Sequence, residues 1–178
     1  MISGVHHVGF STPDIERLIG FYRDVMGFEL ALRIEHGTPS DQLDKMVEMD
    51  RVTSRMAMLC AGNVFLELIQ FDTPPGRPRP ADWRIADHGI GHLGLLVDDI
   101  DAEYARLSAA GMHFHSPPVH NEGRPTAACW GRDPDGNRVE IIEVKDGGSA
   151  HALPEAIVAH FRARAEALRR ATGDSRAS

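Results

Sequence analysis

Gly91-His92-Leu93-Gly94-Leu95-Leu96-Val97-Asp98-Asp99-Ile100 repeats the pattern of His6-His7-Val8-Gly9-Phe10-Ser11-Thr12-Pro13-Asp14-Ile15. The two stretches lie 85 residues apart and superimpose His92 on His7, Gly94 on Gly9, Asp99 on Asp14 and Ile100 on Ile15. A second echo follows each of them, Phe65-Leu66-Glu67-Leu68-Ile69 in the first half and Arg138-Val139-Glu140-Ile141-Ile142 in the second. Recurrence of this kind is the mark of an internal duplication. The first copy carries about twelve extra residues between its histidine and its glutamate, and the polar stretch from Gly37 to Thr53 accommodates them.

Outward from these anchors, each half reads as strand, helix and three strands. Val5 to Ser11 is an apolar run suited to a strand, and Thr12-Pro13 reads as a helix N-cap followed by proline at the first helical position. Ile15, Leu18, Ile19, Tyr22 and Val25/Met26 recur at three- and four-residue spacing, and Gly27 supplies the stop. Phe28 to Glu35, Arg55 to Cys60 and Val64 to Phe71 are the following strands, with Ala61-Gly62-Asn63 turning the last two. The pattern restarts with a strand from His92 to Val97, a cap at Asp98 or Asp99, a helix carrying Ile100, Tyr104 and Leu107, and a stop at Gly111. Met112 to His115, Thr126 to Trp130 and Asn137 to Val144 complete it, with Asp133-Pro134-Asp135-Gly136-Asn137 as the last turn. The expected architecture is α+β: two βαβββ modules forming a curved mixed sheet, plus a C-terminal helix from Pro154 to Arg170 with Ile157, Val158, Phe161, Ala165 and Leu168 on one side. The expected boundaries are residues 1–72, a proline-rich connector 73–91, residues 92–146 and an extension 147–178.

Composition narrows the function classes. A hydrophobic content of 42% and a charged content of 25% are those of a globular chain. A net charge of −7 argues against nucleic acid and anionic membranes, since phosphate binding needs clustered cations. The N-terminus has no basic segment followed by an apolar run, so a cytoplasmic protein is expected. Cys60 and Cys129 lie in strand-like runs and read as packed, reduced thiols.

A strand alternates its faces, so a histidine in the first strand and a glutamate in the last strand of one module can project from the same face. Two such modules side by side supply two imidazoles and two carboxylates. That donor set suits Zn²⁺, Ni²⁺, Co²⁺, Mn²⁺ or Fe²⁺, and the absence of thiolate argues against a structural zinc. Gly9 and Gly94 read as close backbone packing within a strand.

The phrases His6-His7-Val8-Gly9-Phe10, Phe21 to Phe28, Gly91-His92-Leu93-Gly94, Val97 to Asp101 and Asp133 to Glu140 stand in the order found in the vicinal oxygen chelate superfamily, which residues 3 to 146 resemble. That superfamily includes glyoxalase I, methylmalonyl-CoA epimerase, extradiol dioxygenases, fosfomycin-resistance enzymes and bleomycin-binding proteins. The resemblance implies that His7, Glu67, His92 and Glu140 bind a divalent metal, with His7 preferred to His6 and Glu140 preferred to Glu143. It implies glyoxalase- or epimerase-like isomerase or lyase chemistry through a metal-chelated enolate or enediolate, with Glu140 and Glu67 moving the proton. An iron-dependent extradiol-type dioxygenase is one alternative, needing only His7, His92 and Glu140. A non-catalytic binding or antibiotic-resistance protein is the other, and the complete ligand set counts against it.

Asp24 stands where glutathione-using glyoxalases tend to carry a basic residue, with Arg23 one position earlier, which favours a different small oxygenated substrate. Candidate substrate contacts are Arg51, Arg55, His88, His120, Arg124 and Trp130. A homodimer is expected, and the superfamily pairs its modules both within a chain and across a dimer.

Overall fold

The structure is a computed structural model that describes residues 1–2, 4–123 and 125–145, together with the helical positions Ala159, Ala163, Ala167 and Arg170. Those four positions fall within the expected C-terminal helix, whereas its apolar stripe, from Ile157 to Leu168, lies outside the described residues. The chain divides into two compact units, with the boundary between Pro78 and Arg79.

The first unit runs β1 (His7–Ser11), α1 (Ile15–Gly20), β2 (Glu29–His36), α2 (Asp41–Val47), β3 (Thr53–Cys60) and β4 (Phe65–Thr73). Its sheet has the order β1-β4-β3-β2, with β1 parallel to β4 and the other pairs antiparallel. Alternation sends Val8, Phe10, Leu66 and Leu68 to one face and His7, Gly9, Phe65, Glu67 and Ile69 to the other. Ile15, Leu18, Ile19 and Tyr22 of the helical segment are buried, as are Ala57, Leu59, Leu66 and Leu68 of the strands α1 contacts.

The helix start differs from the sequence expectation. Asp14, not Thr12, is the N-cap: its carboxylate accepts from Arg17 N, and Thr12 Oγ1 accepts from Asp14 N instead. Proline at position 13 therefore precedes the helix. The periodic stripe also fails at Val25/Met26. From Phe21 to Val25 the helix widens to a π turn, closed by Met26 N donating to Phe21 O, so the next buried apolar residue is Phe28, whose ring packs 5.4 Å from that of Tyr22. Gly27 ends the turn at φ 78°.

The polar insertion is ordered by its own chemistry. Ser40 caps α2, and the Asp44 carboxylate accepts from the backbone N–H groups of Arg51 and Val52, pinning the return of the chain where Val52 enters the core.

The second unit contains β5 (Leu93–Val97), α3 (Ile100–Ala109), β6 (His113–Phe114), β7 (Val119–His120), β8 (Thr126–Arg132) and β9 (Arg138–Val144). Its sheet order is β5-β9-β8-β6, with β5 parallel to β9 and the short β7 pairing β8. Asp99 caps α3, and Gly111 follows it at φ 93°. Val139, Ile141, Ala127, Cys129 and Glu143 alternate onto the buried face, while Glu140, Ile142, Ala128 and Trp130 take the other. The hydrogen bonds of the described residues thus close two mixed sheets, one per unit, in the expected α+β architecture. No helix among the described residues is long and apolar enough to cross a membrane.

Cys60 and Cys129 are both buried, reduced thiols. Burial, reinforced by Asp101 and Glu140, pushes the Cys129 thiol up to about 11 from an ordinary 9.0. A thiol whose folded pKa is raised contributes stability that is fully present below the unfolded value and lost as the pH rises through the folded one. Wild-type stability is accordingly expected to fall between about pH 9 and about pH 11 more steeply than that of Cys129→Ala. Urea denaturation of both proteins across this window measures the difference, and parallel curves would contradict the assignment.

Candidate metal centre

Each unit builds the same local arrangement. In the first, parallel pairing sets Gly9 opposite Glu67 and His7 opposite Phe65. The His7 Nε2 and Glu67 Oε2 atoms come within 3.5 Å. In the second, Gly94 stands opposite Glu140, and His92 Nε2 lies 3.2 Å from Glu140 Oε2. The glutamate side chains are mostly shielded, at 17% exposure in both units, and the histidines are more open at 41% and 38%.

The glycines have a more specific task than backbone packing. A Cβ at position 9 would lie 3.3 Å from Glu67 Oε2, and one at position 94 would lie 3.5 Å from Glu140 Oε2. The missing side chain is the space into which each carboxylate folds beside its histidine. At position 9 a Cβ would press the carboxylate aside by a few tenths of an ångström, whereas at position 94 it would meet the carboxylate at ordinary contact distance.

The donor separations fit a shared ion. Two atoms each about 2.1 Å from one metal are roughly 3.0 Å apart at a right angle and roughly 3.4 Å apart at the tetrahedral angle. The observed 3.5 and 3.2 Å lie close to that range. Among the described residues the four side chains come together as two His–Glu pairs, and no group of three or more potential ligands forms.

The histidines are held by different means. His7 Nδ1 lies 2.8 Å from His6 Nδ1, and the His6 ring tilts against Phe65 at 5.4 Å. One of those two nitrogens carries the shared proton, an outer contact of the kind that orients a ligating imidazole. His92 instead packs on Trp130, centroid to centroid at 4.3 Å, and Trp130 faces Glu140 across the β8–β9 ladder. His6, read only as the less suitable neighbour of His7, is thus a supporting residue. The adjacent His-His pair was its sole signal in the sequence.

The proposed substrate contacts fare unevenly. Trp130 stands on the His92–Glu140 face. Arg55 does not share a face with Glu67: it pairs with Gln70 in register, on the helix-bearing side, and its guanidinium engages Asp72. His120 pairs with Ala127 on the α3 side of its sheet and contacts Asp101 at 3.2 Å. One residue of register decides each placement. His88 is exposed before β5, Arg51 is an exposed residue at the end of the insertion, and Arg124 lies outside the described residues. Glu143 faces the buried side, 5% exposed, with Lys145 Nζ 3.4 Å away, as expected for the residue passed over in favour of Glu140.

A mixed βαβββ-type unit built twice, with a glycine-cleared His–Glu pair in each copy, defines a class of duplicated small-molecule proteins. The chain belongs to the Glyoxalase/Bleomycin resistance protein/Dioxygenase superfamily, whose family model matches residues 4–141. It is 32% identical over 152 residues to a 2-epi-5-epi-valiolone epimerase from Actinomyces sp., covering 80% of each chain. It is 28% identical over 150 residues to an ethylmalonyl-CoA/methylmalonyl-CoA epimerase from Cereibacter sphaeroides, covering 81% of this chain and all of that one. The fold is shared with a glyoxalase family protein from Bacillus cereus, at a TM-score of 0.71 and 20% identity over 80% of this chain and 95% of that one.

The two glycines differ in how tightly they clear their acids, and this generates a test. Gly9→Ala is expected to weaken metal binding by about tenfold or more, the range seen when an outer support of a ligand is lost. Gly94→Ala should have a smaller effect, because its Cβ meets the carboxylate at ordinary contact distance. Titration of chelator-treated variants with Ni²⁺ or Co²⁺ reads both affinities, and equal affinities across wild type and variants would contradict the clearance role.

Proposed function

We propose that the protein is a divalent-metal-dependent isomerase, specifically an epimerase, that relocates a proton on a carbon beside a carbonyl in a small oxygenated substrate. The observation that carries this reading is the glycine-cleared His–Glu pair present in both units. Similarity to two epimerases, one of them at 32% identity across 80% of both chains, supports epimerisation over lyase and dioxygenase chemistry.

His7, Glu67, His92 and Glu140 are the proposed ligands of a Ni, Co, Mn, Zn or Fe ion, a set of imidazoles and carboxylates that such cations accept. When bound, the ion supplies Lewis acidity to a substrate that presents two neighbouring oxygens. The carboxylates of Glu67 and Glu140 are the proposed proton carriers. Inverting a stereocentre requires removal of a proton from one side of a carbon and its return to the other, and a carboxylate can serve as the base or, once protonated, as the acid. Each is mostly shielded from water, so the acid delivers its proton to the substrate carbon, while the proton taken up by the base exchanges with solvent between turnovers. Trp130 contributes an apolar wall beside Glu140 and fixes the ring of His92.

With 2-epi-5-epi-valiolone as the first substrate, metal-loaded protein in D₂O is expected to exchange one carbon-bound proton as the epimer forms. Glu140→Gln should reduce that exchange by about 100-fold or more with an unchanged melting curve. Full exchange in metal-loaded Glu140→Gln refutes the assigned role. Oxygen uptake by the Fe²⁺ form without proton exchange would replace the reading with a dioxygenase. Ligand binding that is indifferent to metal and without turnover would replace it with a binding protein.

A further inference from the structure

The second unit carries a cluster of cations outside the two His–Glu pairs. Arg132 and Arg138 are direct partners across the β8–β9 ladder, where like charges oppose each other on one face. Arg79 joins them: the guanidinium carbons of Arg79 and Arg138 each lie 4.3 Å from the centroid of the Trp83 ring. Among the described residues no carboxylate lies within ion-pair distance of any of the three. Their bonds go to neutral acceptors, Arg79 Nη2 donating to Asn137 Oδ1, Arg132 Nη1 to Gly136 O and Arg138 Nη2 to Trp83 O. Asp87, the carboxylate whose charge reaches Arg138, is itself held by the side chain and backbone N–H of Arg84.

Arg138 is 7% exposed, and its Nη1 is buried with no hydrogen-bond partner. A buried cationic donor left unpaired is costly, and three guanidiniums gathered with no carboxylate at ion-pair distance add mutual repulsion. Two of them stack on an indole, which recovers part of that cost but leaves the charge in place. The positive field extends to His115, which partial desolvation, then Arg132, Arg138 and His113, hold below the usual histidine value.

We propose that Arg79, Arg132 and Arg138, arrayed about Trp83, form an oxyanion subsite that takes the phosphoryl group of a ligand. A phosphoryl group, with two negative charges and three acceptor oxygens, matches three guanidinium forks better than a monoanionic carboxylate does. Arg138 and Glu140 are two residues apart on one strand face, about 7 Å along the strand. The subsite is therefore placed to hold an anionic arm of a substrate whose reacting end lies at Glu140, an extension that rests on the function proposed above. The subsite itself stands without it.

The test is isothermal titration of the full chain with inorganic phosphate, before and after chelator treatment. Wild type is expected to bind phosphate in both states, with affinity falling as salt rises. Arg79→Gln and Arg132→Gln should each weaken it about tenfold. Arg106→Gln, which alters a cation paired with Glu103 on α3, should leave it unchanged. Arg138→Gln is the central variant but alters a buried side chain, so the two more exposed arginines carry the test if it does not fold. Equal phosphate affinity in wild type and the folded Arg79→Gln and Arg132→Gln variants, or no binding to wild type at low salt, overturns the proposal. Competition by glycerol 1-phosphate at comparable affinity assigns the subsite to a phosphorylated ligand, whereas binding of inorganic phosphate alone overturns the substrate-arm placement. Because phosphate binding is read with the metal removed, failure of the metal-dependent reading leaves this result standing, and the reverse also holds.

Discussion

The structure depends on the register of one strand pair in each unit, the parallel pairing of its first strand with its last. That register sets Gly9 against Glu67 and Gly94 against Glu140. A slip by one residue would exchange the faces of every side chain on the strand. Glu67 would then turn towards the side where Leu66 and Leu68 are buried, and an unpaired carboxylate there is far more costly than the hydrophobic contacts displaced. The core and the candidate centre therefore enforce the same register, one by excluding charge and the other by needing a carboxylate beside a histidine.

Duplication has not kept the two copies equivalent. The first supports its histidine with a second imidazole from His6, whereas the second uses the indole of Trp130. The first spends its extra residues on α2, anchored by Asp44, and the second adds only the short strand β7. What both retain is the smallest set that the arrangement needs: a histidine, a glycine two positions on, and a glutamate on the parallel neighbour. The arginines around Trp83, by contrast, belong to the second unit.

Much of this was legible because it repeats. His7 with His92, and Glu67 with Glu140, are visible as pairs before any fold is known, and strand alternation puts each pair on one face. Asp14 was legible as well, since it superimposes on Asp99, yet the Thr12-Pro13 cap signal pointed two residues too early. Local preference yielded to the tie between Ile15 N and Gln70 Oε1, which fixes where α1 begins against β4. Arg55 and His120 were misplaced for a related reason. Their residue type suits a binding site, but type says nothing of face, and the face was settled by pairing with Gln70 and Ala127.

By itself the sequence determined the duplication, the α+β character and the four candidate ligands, because periodicity and repetition are properties of the chain and need no partner to be read. Tertiary structure alone decided that the two glycines clear space for the carboxylates, that His6 and Trp130 orient the imidazoles, and that Arg79, Arg132 and Arg138 converge on Trp83. These are contacts between residues up to 58 positions apart, as for Gly9 and Glu67, and their distances depend on strand register and on which side chains share a face. No local pattern encodes that information, because it exists only once the backbone hydrogen bonds have aligned the strands.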